Sequence, residues 1–330
     1  EQLLRALEVY ASYGITTVRE PAANAYEARE RLESISSGKR IGPREFFTGP
    51  TFDGSRTYYK GALAMDAGAQ LEAELQRARK LEYDFIKTYV RLSDPVQKRI
   101  VERAHEMGIP VTSHELYPAA AYGTDGVEHY RGTSRRGYSP KATWTFRTYQ
   151  DVIEILSRSG MVTTPTMGVF SFPLAAVREP ALIEDRRLNL FPSPVIESTR
   201  AAMEDVRRDR ILEANRLKRL GRIVKDYNEA GIRILVGTDI DTYAVSLHAE
   251  LQHFVEEAGL SPFQALQAVS LHAAEALGAA EDLGTIEPGK LADLVIVDGN
   301  PLEEIRDARR VRTVIQNGTV YDLQDLLKRP

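Results

Sequence analysis

The stretch DFIKTYVRLSDPVQKRIVERAHEMGIPVTSH, residues 84–114, decides the fold, because it contains a strand, a helix and a second strand in direct succession. The short apolar runs at its two ends, 84–90 and 109–114, have the length of buried strands. Between them, in 96–107, apolar residues recur every three or four positions, which is typical of an amphipathic helix. This order of elements favours two parallel strands joined by a right-handed crossover.

The same alternation of short apolar runs and helical segments extends over most of the chain. The long interval 166–232 is interpreted as an elaborated loop that contains charged helices rather than a missed strand. The pattern therefore predicts an α/β fold around a parallel sheet. The candidate strands are 15–18, 45–49, 84–90, 109–114, 126–129, 161–166 and 232–239.

The tail of the chain has a different pattern. In LGTIEPGKLADLVIVDGNPL (283–302), a turn is followed by a strand over 291–297. A second strand is expected over 311–322, where the dipeptide Asn317-Gly318 is typical of a tight turn. The tail is therefore a small β appendage, and the expected domain bounds are 1–280 and 281–330.

Composition excludes several classes of protein and site. The chain has 330 residues, of which 43% are hydrophobic, and its formal net charge of −4 is spread without a block of like charge. We therefore expect no nucleic-acid partner and, because no apolar run reaches the ~20 residues of a membrane helix, no membrane span. The absence of cysteine excludes disulfides, thiolate metal sites and cysteine nucleophiles. A homo-oligomer is compatible with this composition.

A lysine lies inside the candidate strand 84–90. Alternation places Phe85, Lys87 and Tyr89 on one face, so that a cation lies in an apolar setting. Burial of a lone ammonium is costly unless the group is neutralised or paired. Four interpretations of this lysine stay open: a Schiff-base nucleophile, a phosphate binder, a salt-bridged structural lysine, or a CO2-modified lysine that serves as an anionic metal ligand.

Two histidines and an aspartate end other candidate strands. His114 ends IPVTSH, His129 ends GVEH, and Asp239 ends IRILVGTD. Neighbouring strand ends lie about 5 Å apart, which lets two imidazoles converge on one zinc ion at about 2 Å each. Alone, each histidine is more often structural, and Asp239 fits a helix cap equally well. Together, at the carboxyl ends of parallel strands, they point to a catalytic face.

Other conspicuous residues fit ordinary structural roles. Trp144 is interpreted as a packing residue, and the basic pair Arg186-Arg187 as part of a solvated helix face.

Longer motifs resemble the amidohydrolase superfamily, in particular its branch with imidazolonepropionase and the Xaa-Pro dipeptidases. The similarity extends from about residue 12 to 322 and is carried by GITTVRE, DFIKTYV, IPVTSHE, DGVEHYRG, TPTMG, ILVGTDI and the tail motif. The segment from VTSHELYP to GTSRRGYSP further resembles the amidohydrolase domain of proteins with TolB-like propellers. The resemblance implies a (β/α)8 TIM barrel that here lacks its first strand, followed by a partial β-sandwich appendage.

The resemblance also implies roles for the candidate residues. Lys87 would be a carboxylated lysine between two metal ions, and His114 and His129 would bind the second of them. Asp239 would bind the first metal ion and act as general base and acid for a metal-activated water that hydrolyses an amide bond. The metal would be divalent, with zinc as the default, and the substrate a short peptide or a cyclic amide. Substrate contacts are expected from Tyr89, Arg91, Arg135 and Tyr138.

The chain departs from the family at the first metal ion. In the family, a His-x-His pair at the end of strand one holds this ion, whereas no histidine precedes His105 here. We therefore expect strand one and its histidines to lie upstream of residue 1, and the first metal site to be incomplete without them. Two alternatives stay open: a Schiff-base, aldolase-like enzyme that uses Lys87, and an inactive fragment or scaffold.

Overall fold

The computed structural model describes residues 2–66, 68–131, 141–239 and 243–328. Within these residues the strands form a large parallel sheet, a separate parallel pair and an antiparallel sheet near the end of the chain. The strands are β1 Thr17–Glu20, β2 Arg44–Phe47, β3 Phe52–Asp53, β4 Leu63–Ala64, β5 Ile86–Thr88, β6 Val111–Ser113, β7 Gly126–Glu128, β8 Val162–Thr164, β9 Leu294–Val297, β10 Val311–Gln316 and β11 Thr319–Asp322.

Helices separate the strands over most of the chain. They are α1 Gln2–Ser12, α2 Ala25–Ser36, α3 Ala69–Lys80, α4 Asp94–Glu106, α5 Gln150–Ser159, α6 Gly168–Arg178, α7 Ala181–Glu184, α8 Ser193–Arg208, α9 Arg210–Glu229, α10 Tyr243–Glu256, α11 Pro262–Val269, α12 Leu271–Ala276 and α13 Leu323–Lys328. The interval 166–232 contains α6 to α9, as its charged helical pattern predicts. None of the described helices has the length and apolar character that crossing a membrane requires.

The large sheet has the strand order β4-β3-β5-β6-β7-β8, and its neighbouring strands are parallel. Lys87 of β5 pairs with Thr112 of β6, and Ser113 of β6 pairs with Val127 of β7. Consecutive parallel strands therefore end at one edge, where the residues that follow them meet. The α/β class and the parallel sheet predicted from the alternation are confirmed.

Two parts of the sheet differ from the prediction. The strands β3 and β4 were not expected, since two residues each are too few to produce a periodic pattern. The segment predicted as a strand over 232–239 is not a regular strand, and its Ile234 forms an isolated parallel bridge to Thr163. Its Leu235 N–H donates to Thr163 O at 2.8 Å, but the ladder with β8 cannot continue in the same way, because Pro165 has no N–H to donate to Leu235 O.

Helices pack against the outer side of the strands. Ile86 of β5 is buried in an apolar cluster with Leu75 of α3 and Ile100 of α4. A second cluster joins Val127 of β7 to residues of α9 and α10. Because side chains alternate along a strand, burial of Ile86 among the helices turns Lys87 to the other face.

The tail forms an antiparallel sheet with the order β11-β10-β9. The single strand expected over 311–322 is a hairpin, because Asn317 and Gly318 have φ values of 50° and 77° and form a two-residue turn. Leu326 of α13 lies in one apolar cluster with Ala11 of α1. The tail therefore packs against the beginning of the chain.

Two interpretations of peripheral residues were wrong. Arg187 is not a solvated residue: it is buried, forms an ion pair with Asp185 and donates to Ser12 O at 3.1 Å. Trp144 does not pack in the core, because 85% of it is exposed, and the Arg131 guanidinium lies 4.7 Å from its ring centroid. The ion pair with Asp185 stabilises Arg187 in a buried position, which the basic character of the segment does not indicate.

Glu250, a residue of α10, has a fully buried carboxyl that lies against the beginning of α6. Its oxygens accept hydrogen bonds from the backbone N–H groups of Met167 and Gly168, at 2.8 and 2.6 Å. Burial raises the pKa of Glu250 from 4.5 to about 8, although these two donors act in the opposite direction. Between these pH values the folded chain therefore holds a proton that the unfolded chain releases.

We expect the Glu250→Gln variant to lose part of the pH dependence of stability between about pH 4.5 and 8. The folded-state pKa is the higher one, so Glu250 favours the folded state at low pH, and this contribution is lost as the pH rises through the window. Gln does not titrate, and the free energy of unfolding of the variant should fall less steeply with pH. Urea unfolding at several pH values measures the slope.

The matched control is Glu197→Gln, on an exposed position of α8, which should keep the wild-type slope. An unchanged slope in Glu250→Gln would contradict the assignment of this titration to Glu250.

Candidate active site

The side chains predicted for the site lie at the carboxyl ends of neighbouring strands. Lys87 is the middle residue of β5, His114 directly follows β6, and His129 directly follows β7. Lys87 is 3% exposed and His114 is 8% exposed. The parallel register of β5, β6 and β7 thus brings these residues, distant in sequence, to one edge of the sheet.

His114 and His129 face each other. Their Nε2 atoms lie 2.9 Å apart and their ring centroids 4.5 Å apart. His129 Nδ1 lies 2.6 Å from Thr166 Oγ1, whereas His114 Nδ1 is buried without a hydrogen-bond partner. Burial lowers the pKa of His114 well below its usual range and that of His129 to about 3, and the Lys87 charge adds to both shifts. Both rings are therefore neutral at neutral pH, the form in which imidazole binds metals.

The backbone at this edge is strained at three residues. The φ angle is 63° at His129, 52° at Thr166 and 51° at Asp239. Left-handed conformations of this kind cost about 1–3 kcal/mol each in residues other than glycine and cluster at functional sites. A hydrogen bond from His129 N to Thr164 O, at 2.7 Å, helps to hold the strand end in place.

Lys141 is fully buried beside the same strand end. Its Nζ donates to the backbone oxygen of His129 at 2.6 Å and also to that of Glu128. Burial lowers the pKa of Lys141 to about 7, although the Glu128 charge acts in the opposite direction. The two hydrogen bonds connect one ammonium to successive carbonyl groups, and so fix the backbone from which the His129 ring projects.

Glu128 is a buried carboxylate in β7. Its Oε1 accepts hydrogen bonds from Arg19 Nη2 at 2.6 Å and from Thr112 Oγ1 at 2.7 Å, and lies 3.7 Å from Lys87 Nζ. Burial alone would raise the pKa of Glu128, but the positive charges of Arg19 and Lys87 outweigh it and hold this pKa well below its usual range. Glu128 is therefore ionised in the folded protein.

Lys87 has a buried Nζ that forms no hydrogen bond. Burial lowers the pKa of Lys87 to about 8, although the nearby Glu128 charge raises it. Part of the Lys87 population is therefore neutral amine near neutral pH. A neutral amine is the nucleophilic form that both Schiff-base formation and reaction with CO2 require.

Asp239 lies next to the histidine pair. Its Oδ2 is 3.6 Å from His129 Nε2, and its side chain is 58% exposed. Desolvation by the surrounding protein raises the pKa of Asp239, while the Lys87 charge lowers it. A carboxyl that is open to solvent and adjacent to the histidines is placed to exchange protons with a bound molecule.

The residues expected to contact substrate have different environments. Tyr89 is buried, and its ring centroid lies 4.2 Å from that of His114. The Arg91 guanidinium donates to Thr57 O at 2.6 Å, and so contacts a loop of the chain itself. The remaining two, which lie outside the described residues, are Arg135 and Tyr138.

The charged residues behind the histidines are not among those that the sequence motifs single out. One signal was available, because Glu128 is a carboxylate in a short buried strand directly before His129, a placement that requires a buried partner. No comparable signal marks Arg19 or Lys141. Arg19 contacts Glu128 across 109 positions of sequence. Lys141 contacts backbone oxygens, and every residue type has one, so the sequence does not indicate this partner.

Comparison with known proteins assigns the chain to a family. The model of the amidohydrolase family matches residues 3–321. The chain belongs to the amidohydrolase family. A Xaa-Pro dipeptidase with bound methionine has a TM-score of 0.69 at 23% identity and covers 97% of this chain and 79% of its own. A bottromycin amidohydrolase has a TM-score of 0.73 at 22% identity and covers 98% of this chain and 74% of its own. At these identities, the likeness shows a shared fold.

A curated relative of this amidohydrolase-family chain is similar over a shorter region. The imidazolonepropionase of Thermoplasma volcanium is 33% identical over 100 residues, which are 28% of this chain and 25% of that enzyme. The matched region thus spans only about a quarter of the relative.

Divalent metal ions are the usual cofactors of the amidohydrolase family, and the site offers part of a ligand set for one. Two neutral imidazole nitrogens 2.9 Å apart, with a carboxylate near one of them, suit a zinc-like cation. Within the described ranges, however, no three His, Asp or Glu side chains are grouped so as to hold a metal ion by themselves. His114 and His129 therefore fit a metal ion only with a further ligand, for which Lys87 is a candidate.

We expect the Glu128→Gln variant to lower the free energy of unfolding by about 3 kcal/mol, because it leaves the charges of Arg19 and Lys87 in a buried site without a counter-ion. Urea unfolding measures the loss. In the control Glu102→Gln, the lost partner is Lys98 on an exposed helix face, and the cost should not exceed about 0.5 kcal/mol. Equal losses in the two variants would rule out a buried ionic network at Glu128.

We expect the Lys141→Met variant, which keeps most of the side-chain volume, to be destabilised by about 2 kcal/mol, because two buried backbone acceptors lose their shared donor. The NMR signals of the His129 ring should shift in the same variant. The control is Lys98→Met, since Lys98 is half exposed and pairs within one helix. A Lys141→Met protein as stable as the control, with unshifted His129 signals, would show that Lys141 does not fix this strand end.

Proposed function

We propose that this chain acts as a metal-dependent hydrolase of amide C–N bonds in short peptides or cyclic amides. The observation that carries the proposal is the convergence of the neutral His114 and His129 nitrogens, 2.9 Å apart, beside the buried Lys87 amine. Membership of the amidohydrolase family supports the reaction class.

The proposal includes the architecture around the site. We propose that β1, β2, β5 to β8 and the segment 232–239 belong to a (β/α)8 barrel, and that residues 281–330 form a separate β appendage. The parallel order of consecutive strands and the likeness to amidohydrolase structures support the barrel. The change from parallel to antiparallel pairing after α12 supports the appendage.

Asp239 would carry the proton during hydrolysis. When bound, a divalent ion would polarise the scissile carbonyl and lower the pKa of the attacking water. The Asp239 carboxylate would accept a proton from that water and give it to the leaving nitrogen. Two observations support this role: Oδ2 lies 3.6 Å from His129 Nε2, and desolvation raises the pKa of Asp239, which favours its protonated form after the first step.

Lys87 would supply the further ligand as a carbamate. Addition of CO2 to the neutral amine forms an N–C bond and releases one proton, so the lowered pKa of Lys87 favours the modification. The buried Nζ forms no hydrogen bond that this reaction would have to break. Tyr89, whose ring lies against His114, would contact the substrate.

We expect removal of metal by a chelator to abolish hydrolysis of a panel of dipeptides and lactams, and Zn2+ or Mn2+ to restore it. Asp239→Asn should lower kcat by about 10²- to 10⁴-fold, because the amide side chain cannot accept the proton. Asp205→Asn, at an exposed ion pair on α8, should keep full activity. Undiminished turnover after complete metal removal would refute the proposal.

A Schiff-base enzyme is the second candidate, because the lowered pKa of Lys87 also favours an amine nucleophile. Borohydride reduction in the presence of carbonyl compounds separates the two functions. Covalent trapping of the carbonyl compound on Lys87, together with turnover that does not need metal, would favour the lyase over the hydrolase.

A further inference from the structure

Three tyrosines form a continuous aromatic cluster next to the histidine pair. The ring centroids of Tyr58 and Tyr59 lie 4.7 Å apart, and they lie 5.6 and 5.3 Å from that of Tyr89. Tyr89 in turn lies 4.2 Å from the ring of His114. An aromatic surface therefore leads directly from the loop 54–61 to the candidate active site.

The two outer tyrosines are exposed although they lie beside the site. Tyr58 is 45% exposed and Tyr59 is 53% exposed, whereas Tyr89 is 3% exposed. The buried ring fixes one side of the cluster, and the outer rings present apolar surface to solvent. Aromatic side chains beside a candidate active site are typical of surfaces that recognise ligands.

The loop that carries these tyrosines is held in place by charged groups. Asp53, fully buried at the end of β3, accepts hydrogen bonds from the backbone N–H groups of Tyr58 at 2.7 Å and Arg91 at 2.8 Å. The Arg91 guanidinium donates to Thr57 O at 2.6 Å and lies 5.6 Å from the Tyr58 ring centroid. Gly54 packs so closely on Arg91 O that a Cβ would lie 2.0 Å away. The exposed rings are thus positioned before any ligand binds.

We propose that Tyr58 and Tyr59 form a subsite for a planar ring, and that the preferred substrates are amides with an aromatic or heteroaromatic group next to the scissile bond. A preordered aromatic pair favours a planar partner, since stacked or edge-to-face rings attract each other beyond the burial of area. Arg91 is a positioning residue in this arrangement, because its guanidinium orders the loop. The inference rests on the proposed hydrolysis for the identity of the bond, but the ring subsite can be tested by binding alone.

The test measures binding of two neutral amides, phenylacetamide and butyramide, to the full chain by equilibrium dialysis. Phenylacetamide should bind at least threefold more tightly. Tyr58→Ala and Tyr59→Ala should each weaken its binding by about three- to tenfold, as expected for loss of one aromatic pair. Tyr58→Phe and Tyr59→Phe keep the ring and should stay within about twofold of the wild type. Butyramide binding should change little in all four variants.

Tyr26→Ala is the matched control, because Tyr26 is 67% exposed on α2. It should bind both amides as the wild type does, and thermal unfolding checks that each variant is folded. Equal binding of the two amides by the wild type, or unchanged phenylacetamide binding in both alanine variants, would overturn the subsite. If phenylacetamide is preferred in binding but no amide is hydrolysed, the proposed function fails and the subsite stands. If amides are hydrolysed but phenylacetamide is not preferred, the subsite fails and the proposed function stands.

Discussion

Glu128 lies between an arginine, a threonine and a lysine that come from other strands. Its carboxylate in β7 accepts hydrogen bonds from Arg19 of β1 and Thr112 of β6 and lies beside Lys87 of β5. Charges that are withdrawn from water depend on one another, since removal of one leaves the others uncompensated. The charge of the Lys87 amine is therefore balanced by this ionic contact, within a strand whose alternation turns Lys87 to this face.

The residue after Glu128 connects this network to the histidine pair. The Glu128 side chain is held by Arg19 while its carbonyl, together with that of His129, accepts hydrogen bonds from Lys141. These contacts offset the cost of the left-handed backbone at His129, which is about 1–3 kcal/mol. Contacts of Arg19 with the Glu128 side chain and of Lys141 with two backbone oxygens thus fix the direction of the His129 ring. The Nε2 atom of His114 lies 2.9 Å from that of His129, and its Nδ1 atom has no hydrogen-bond partner.

Much of this arrangement could be predicted from sequence, for reasons that particular residues show. Alternation in DFIKTYV separates Ile86, which packs under helices, from Lys87, and histidines directly after β6 and β7 must meet if the strands are parallel neighbours. What could not be predicted depends on contacts between distant segments. Arg19 reaches Glu128 across 109 positions of sequence, and Lys141 makes its contacts to backbone oxygens. The segment 232–239 departs from strand geometry where Pro165, which has no N–H, follows its partner strand β8.

The charges around Lys87 bear on its chemical state. As an ammonium, Lys87 offsets the charge of Glu128 at 3.7 Å, although its Nζ forms no hydrogen bond. Carboxylation would reverse the sign of the Lys87 charge and place two anions in one buried pocket, with Arg19 as the direct partner of only one. Such an arrangement is unfavourable unless a cation lies between the carbamate and the histidines. The modification and the cation would therefore stabilise each other, and the unmodified chain has a stable alternative in the Lys87–Glu128 pair.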